Sequence, residues 1–273
     1  MTPKLSVIFL QYNNAGTTRT AIESFQRWCT VPHEIILLDN ASTDTRACGE
    51  VEKIPGIRFI HNERNTGFGA GNNEAARSAA GDIYLFINND TVVDSDFVSR
   101  VVEHFEEYPK AGIIGPMLRN SDGTFQLSSG SLPSVLQEAW DKVLYRTIDN
   151  GNSIFRRWAE KNHRRRTRVG WVTGAALFIR KSVFVALGGF DETFFMYFED
   201  KDLCARAWDA GWEVRYFPET SLMHLRGGSA GKNENPWLAR CYRESQLRYY
   251  QKHRPWWEER LVRMYVQHWK DSR

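Results

Sequence analysis

A chain of 273 residues with 42% hydrophobic and 25% charged side chains, 20 Gly and 9 Pro is an ordinary globular protein, which excludes collagen-like, low-complexity and disulfide-scaffold classes. Cys29, Cys48, Cys204 and Cys241 show no CxxC spacing, so neither a zinc site nor a disulfide framework is suggested. The net charge of +3 hides an asymmetry: residues 1–150 carry 13 Lys/Arg against 19 Asp/Glu, residues 151–273 carry 23 against 14, and nine of the ten tryptophans stand at or after Trp140. A basic, Trp-rich half suits a phosphate-rich surface, either nucleic acid or an anionic membrane face. No run approaches the roughly 18 apolar residues of a bilayer span, and the first apolar run is too short for a signal peptide, so the chain is expected in the cytoplasm.

In chain order, apolar runs alternate with helical patterns, the signature of βαβ units and a mostly parallel sheet. Strands are expected at 5–10, 34–39, 57–61 and 83–87, with helices at 17–28, 69–80 and 96–108 and a loop at 40–44. The middle is less regular, with a helix near 135–145 and a run over 155–168 holding seven cations and one anion. Order returns with a strand at 175–179, a helix start at Lys181, a helix at 199–210 and a strand at 213–217; residues 237–269 read as one or two basic helices broken at Pro255. The chain divides into 1–119, a nucleotide-binding α/β half, 120–231, an acceptor and catalytic half, and 232–273, a basic helical tail.

Carboxylates and amides collect at the C-terminal ends of the expected parallel strands, where open α/β sheets bind ligands. Asp39 ends one strand and Asn88-Asn89-Asp90 another. An acid flanked by amides can hold a hard divalent cation that bridges a diphosphate, and it can equally cap the following turn. Gly67-Phe-Gly69-Ala-Gly71 fits no register of G-x-G-x-x-G, so its small residues serve close approach instead. The segment from Gly188 to Arg206 is dense in aromatics followed by Glu199, Asp200 and Asp202. In a helix starting at Glu199, Asp202 and Arg206 pair at i, i+4, leaving Asp200 as a candidate general base, although acids also simply favour a first helical turn. His224, after the Pro218 turn and beside glycines, would complete a partial cage for Mg2+ or Mn2+ with Asp90 and substrate oxygens.

Together, Ser6-Val-Ile-Phe-Leu-Gln-Tyr-Asn13, Leu38-Asp39-Asn40-Ala-Ser-Thr-Asp44, Asn65-Thr-Gly-Phe-Gly69, Asn88-Asn-Asp90-Thr, Thr173-Gly-Ala-Ala-Leu-Phe-Ile-Arg180, Gly189-Phe-Asp191 through Arg206, and His224 with Gly227-Gly-Ser229 resemble a family 2 glycosyltransferase of the GT-A fold to about residue 255. Within that family the chain is most similar to rhamnosyltransferase-like enzymes that use dTDP-rhamnose and lipid-linked acceptors. The resemblance implies donor-nucleotide contacts from Tyr12, Asp39, Arg64, Asn65, Gly67 and Asn89, with Trp171 and Gly174 on the acceptor side. It implies a divalent cation at Asp90 and His224, the DxD-type motif being written Asn-Asn-Asp and so lacking its first carboxylate. Asp200 would be the base, supported by Glu199, in an inverting single displacement. Two rivals use the same features differently: a metal-dependent nucleotidyltransferase, for which Gln11-Tyr-Asn-Asn-Ala-Gly16 lacks triphosphate-gripping cations, and a nucleic-acid-binding module tracking phosphates with the basic half. The basic run and tail also suit docking on the inner face of the membrane, set against simple packing of the tail on the catalytic domain.

Overall fold

The computed structural model describes residues 4–149, 153–163, 168–225 and 235–271. The first half runs β1 (Leu5–Gln11), α1 (Ala15–Trp28), β2 (His33–Asp39), α2 (Thr45–Glu52), β3 (Ile57–His61), α3 (Phe68–Ala76), β4 (Ile83–Asn88), β5 (Thr91–Val92), α4 (Phe97–Glu107) and β6 (Ala111–Arg119). The second half runs β7 (Phe125–Gln126), β8 (Ser129–Gly130), α5 (Val135–Asp149), α6 (Ser153–His163), β9 (Trp171–Val172), β10 (Ala176–Arg180), α7 (Lys181–Ala186), α8 (Glu199–Asp209), β11 (Glu213–His224), α9 (Pro236–His253) and α10 (Trp256–Asp271).

Among the described residues the main sheet has the order β3-β2-β1-β4-β10-β6-β11-β5, with β7 beside β6. Its longer pairings are parallel: β1 with β2 and β4, β2 with β3, and β6 with β11. Strand β10 is inserted antiparallel between β4 and β6. That reversal brings the residues before β10 to the edge where the parallel strands end.

Both faces of the sheet are covered, which is why its strands read as unbroken apolar runs. On one face Val7, Phe9 and Leu37 pack against Ile22 and Phe25 of α1 and Phe97 and Val101 of α4; on the other Ile8, Ile36 and Leu38 pack against Ala75 of α3, Phe184 of α7 and Leu203 of α8. A third cluster joins Phe194, Phe198 and Ala205 to Tyr249 and Tyr250 of α9 and Val262 and Val266 of α10. Local signals set several helix starts: Asp44 Oδ1 accepts from Ala47 N, Asp96 Oδ1 from Ser99 N, and Asn235 caps α9 with Pro236 in its first turn.

Three differences from the sequence reading have physical causes. Strand β6 escapes the apolar pattern because Gly112, Gly115 and Pro116 interrupt it. Its glycines make room for large neighbours, since a Cβ there would meet Trp212 and Val172 at 2.8 and 2.6 Å. Strand β11 does not stop at Phe217; it continues to His224 with its register shifting between Phe217 and Ser221, where Pro218 cannot donate to the ladder. Helix α2 begins directly after the 40–44 loop, capped by Asp44, and α3 ends at Ala76 rather than Ala80.

Gly67 is one of the points where the first half touches the loop before α8. Its φ is +87°, and a Cβ there would lie 2.3 Å from the carbonyl oxygen of Phe195, which accepts a 2.8 Å bond from Phe68 N. Gly67→Ala is therefore expected to lower stability by about 1–3 kcal/mol, read as a lower urea midpoint, through both left-handed strain and displacement of Phe195. An unchanged midpoint would show that this approach is slack.

Candidate active site

The C-terminal ends of β1, β2, β3, β4 and β11 lie at one sheet edge, and the residues before β10 join them: Ala176 pairs with Ile87 and Asn88 N donates to Ala175 O at 3.0 Å. Gly174 therefore sits next to the Asn88-Asn89-Asp90 turn. Its N–H donates to Asp200 Oδ2 at 2.9 Å, and Lys201 N donates to Asp200 Oδ1 at 2.8 Å. Two backbone donors thus fix the direction of a half-buried carboxylate at the head of α8. Thr91 pairs with His224 and Leu225 N donates to Asp90 O, which carries the end of β11 to the same place.

Asp90 Oδ1 and His224 Nε2 face each other at 3.1 Å. Gln126 Oε1, an acceptor, lies 3.1 Å from His224 Nδ1, which donates to it and fixes the orientation of the ring. Asn88 Nδ2 is 3.3 Å from His224 Nε2. A carboxylate oxygen and an imidazole nitrogen converging on one point form the donor set a hard divalent cation accepts, with room in its shell for substrate oxygens. Among the described residues no group of three His, Cys, Asp or Glu side chains gathers around a single point. Gln126 had no visible signal, because a two-residue strand in an irregular stretch gives no periodicity.

On the donor side the structure redistributes the expected roles. Asp39 has no exposed surface: Gln11 Nε2 donates to it at 2.9 Å, Ser42 N at 3.1 Å, and His61 Nδ1 lies 2.9 Å away. Burial pushes its carboxyl up, but bonds from Ser42, Gln11 and Cys48 outweigh this and hold it below the usual carboxylate value. Enclosed in this way, Asp39 holds the 39–42 turn against β1 and β3. Asn40 is a second organiser missed from the sequence, since its Oδ1 accepts from Asn62 Nδ2 and Thr66 N while its Nδ2 donates to Asn65 Oδ1 and Gly67 O. Asn65 is committed to this network, Gly67 to Phe195, and Asn89, through its Nδ2, to Thr18 Oγ1 on α1. Tyr12 and Arg64 remain exposed at the mouth. Trp171 is buried in the core, with the Lys201 ammonium 4.7 Å from its ring centre. Gly227, Gly228 and Ser229, and the cations Arg164, Arg165 and Arg166, lie outside the described residues.

The loop before α8 is tightly held. Tyr197 and Phe198 are consecutive left-handed residues, φ 70° and 67°, a conformation persisting only where surroundings enforce it. Ser245 Oγ of α9 donates to Met196 O at 2.8 Å, and Phe198 packs on Tyr242 and Tyr249. Asp202, wholly buried, accepts from Arg206 Nε at 2.7 Å and Lys252 Nζ at 2.6 Å, with His253 Nε2 2.7 Å away. Burial pushes its carboxyl up, yet His253, Arg206 and Lys252 together hold it at about 2. The expected Asp202–Arg206 pair is present as part of this larger cluster.

Glu199 is the opposite case. Burial first, and then the charge of Asp200, raise its carboxyl well above the usual range, and its Oε2 has no hydrogen-bond partner. Such an environment favours the neutral form of Glu199.

Residues 6–185 match the sequence model of glycosyl transferase family 2. The chain is 27% identical over 274 residues to an N-acetylglucosaminyl-diphospho-decaprenol L-rhamnosyltransferase of Mycobacterium tuberculosis, covering 96% of this chain and 89% of that protein. It is 23% identical to the O-antigen chain rhamnosyltransferase WbaN of Salmonella anatum, covering 95% and 85%. Among solved structures, the mannosyltransferase PcManGT of Pyrobaculum calidifontis, in complex with GDP-Man and Mn2+, superposes with a TM-score of 0.62 at 16% identity over 92% of this chain and 64% of that one. TarS of S. aureus, in complex with UDP, does so at 0.57 and 14% over 89% and 65%. The chain thus spans just under two thirds of each of these two structures, and the likeness is one of fold.

The protonated state of Glu199 sets a pH dependence. Its folded form is neutral while its unfolded form ionises above about pH 4.3, so its contribution is complete below that value and shrinks as pH rises. Glu199→Gln removes this loss. The Tm of the variant minus that of the wild type should accordingly climb between about pH 5 and pH 8, whereas a flat difference would mean that Glu199 is ionised in the folded protein.

Proposed function

Because the chain belongs to glycosyl transferase family 2, we propose that it transfers rhamnose from dTDP-rhamnose, by inverting single displacement, to a lipid-linked saccharide during synthesis of a bacterial surface polysaccharide. The observation that carries the reaction is the convergence, at one sheet edge, of the oriented Asp200 carboxylate with the Asp90–His224 pair. Support for the sugar and the lipid comes from the named activities of two relatives that match nearly the whole chain.

In this reading the acceptor hydroxyl lies against Asp200, which takes its proton as the oxygen attacks the sugar's anomeric carbon from the face opposite the diphosphate. Gly174 and Lys201 hold the carboxylate so that little reorientation is needed, and two substrates held in line gain the advantage of proximity. Asp90 and His224 would hold a divalent cation, Mg2+ or Mn2+, which when bound neutralises charge developing on the departing diphosphate. Gln126 fixes the ring of His224 for that purpose. Neutral Glu199 avoids a second negative charge beside the base.

Asp200→Asn should lower kcat by about a hundred-fold to ten-thousand-fold while leaving nucleotide diphosphate affinity close to wild type in titration calorimetry. Retention of more than about a tenth of the activity would reassign the base, given the size of a general-base effect. Asp90→Ala should weaken dTDP binding in the presence of Mn2+ and abolish its dependence on the cation, with His224→Ala having a smaller effect; full activity in excess EDTA would remove the cation from the mechanism.

A further inference from the structure

Lys201 follows Asp200 directly, and its main-chain N–H holds the Asp200 carboxylate while its half-buried side chain turns elsewhere. The ammonium lies 4.7 Å from the ring centre of Trp171 and 4.5 Å from that of Phe198, both of them buried. Two aromatic rings attract a cation and fix its position, but they carry no net charge and leave it unneutralised. The neighbouring acids are committed elsewhere: Asp200 accepts from Gly174 N and Lys201 N, and Asp202 is taken up by Arg206, Lys252 and His253. Among the described residues no carboxylate forms an ion pair with Lys201. Setting an ammonium among rings removes part of its hydration, so an uncharged side chain would serve better if filling that gap were its whole purpose.

The surroundings of the ammonium place it relative to the base. Trp171 belongs to β9, which leads back from Gly174 over the sheet, with Val172 against Gly115 of β6 and Val169 N donating to Val214 O. The ammonium therefore lies on the α8 side of Asp200, whereas Asp90 and His224 meet where β5 pairs with β11. In an inverting displacement the departing group leaves from the face opposite the attacking oxygen, so a cation on the helix of the base meets the acceptor rather than the donor.

We propose that Lys201 is an acceptor-binding residue whose ammonium takes a phosphate in the linkage between the acceptor saccharide and its lipid. The inference rests on the reading that the acceptor is lipid-linked, and it specifies that linkage as anionic. One relative is named for a sugar joined to its lipid through a diphosphate. With a hydroxyl of such a sugar at Asp200, the phosphate stands one sugar ring away, within the sweep of the next side chain along the helix. Lysine suits this task because it binds phosphate as a compact point charge on a flexible stem.

The test compares two acceptors, with dTDP-rhamnose as donor: N-acetylglucosamine carrying a diphosphate and a short alkyl chain, and the octyl glycoside of the same sugar without phosphate. Wild type should prefer the diphosphate acceptor in kcat/KM. Lys201→Gln keeps the main-chain N–H at Asp200 and should lower that preference at least about ten-fold, chiefly through KM, the order expected for a lost charge-assisted bond. Lys201→Met, which keeps the stem against the rings, should match it, and Lys201→Arg should retain most of the preference. An unchanged Tm confirms the fold of each variant. A wild type indifferent to the phosphate, or a preference unchanged in the two neutral variants, overturns the inference. So does weakened dTDP binding in calorimetry at unchanged acceptor preference, which would assign the cation to the donor. Transfer by wild type to neither acceptor rejects the proposed reaction. Titration of the diphosphate acceptor into wild type and Lys201→Gln with dTDP present then judges the lysine alone: about ten-fold weaker binding by the variant supports its role, and equal or undetectable binding overturns it.

Discussion

A carboxylate with no exposed surface must be neutralised where it sits, and the second half of the chain is arranged around that requirement at Asp202. One of its partners, Arg206, comes from its own helix, while Lys252 and His253 come from the last turn of α9, about fifty residues away along the chain. Lys252 also reaches Asp191, at the start of the aromatic loop. Removing one partner of such a buried cluster typically costs about 3–5 kcal/mol, far more than a surface ion pair contributes. The cluster therefore fixes how the C-terminal helices meet α8, beside the apolar contact through Tyr249, Tyr250, Val262 and Val266.

Two residues before Asp202, the backbone donors of Gly174 and Lys201 aim Asp200, and the loop leading into it holds two left-handed residues in succession. Strain of that kind relaxes unless opposed. Here the opposition comes from Ser245, Tyr242 and Tyr249 on α9, from Phe68 N on α3, and from the close backbone approach that Gly67 permits. The Asp200 carboxylate is thus positioned by elements from the beginning, the middle and the end of the sequence. The reversed strand β10 contributes the remaining constraint, placing Gly174 beside the Asn88–Asp90 turn.

Much of this was legible from residues alone. The buried strands β1, β2 and β4 announce themselves because both faces of a covered parallel sheet select apolar side chains, and the acids at their ends stand out against them. The head of α8, where Glu199 and Asp200 stand, was legible because acids follow an aromatic loop there. The features that escaped depend on partners distant in sequence. Nothing local reveals that Gln11, Ser42 and His61 enclose Asp39, or that Gln126 meets His224 across 98 residues. Strand β6 was hidden because its glycines answer to Trp212 and Val172, neighbours that no window of sequence contains.

The order in which the chain is made adds a consequence of the Asp202 cluster. On a ribosome, Asp90, Asp200 and His224 are all joined to the chain before Lys252 and His253 exist. During that interval Asp202 has Arg206 but neither of its α9 partners, and nothing yet grips the carbonyl of Met196 or covers Phe198. The nascent polypeptide can assemble most of its sheet early, while the geometry around the base is completed only once α9 has been synthesised and folded back. Synthesis itself thus separates the appearance of the scaffold from the onset of chemistry.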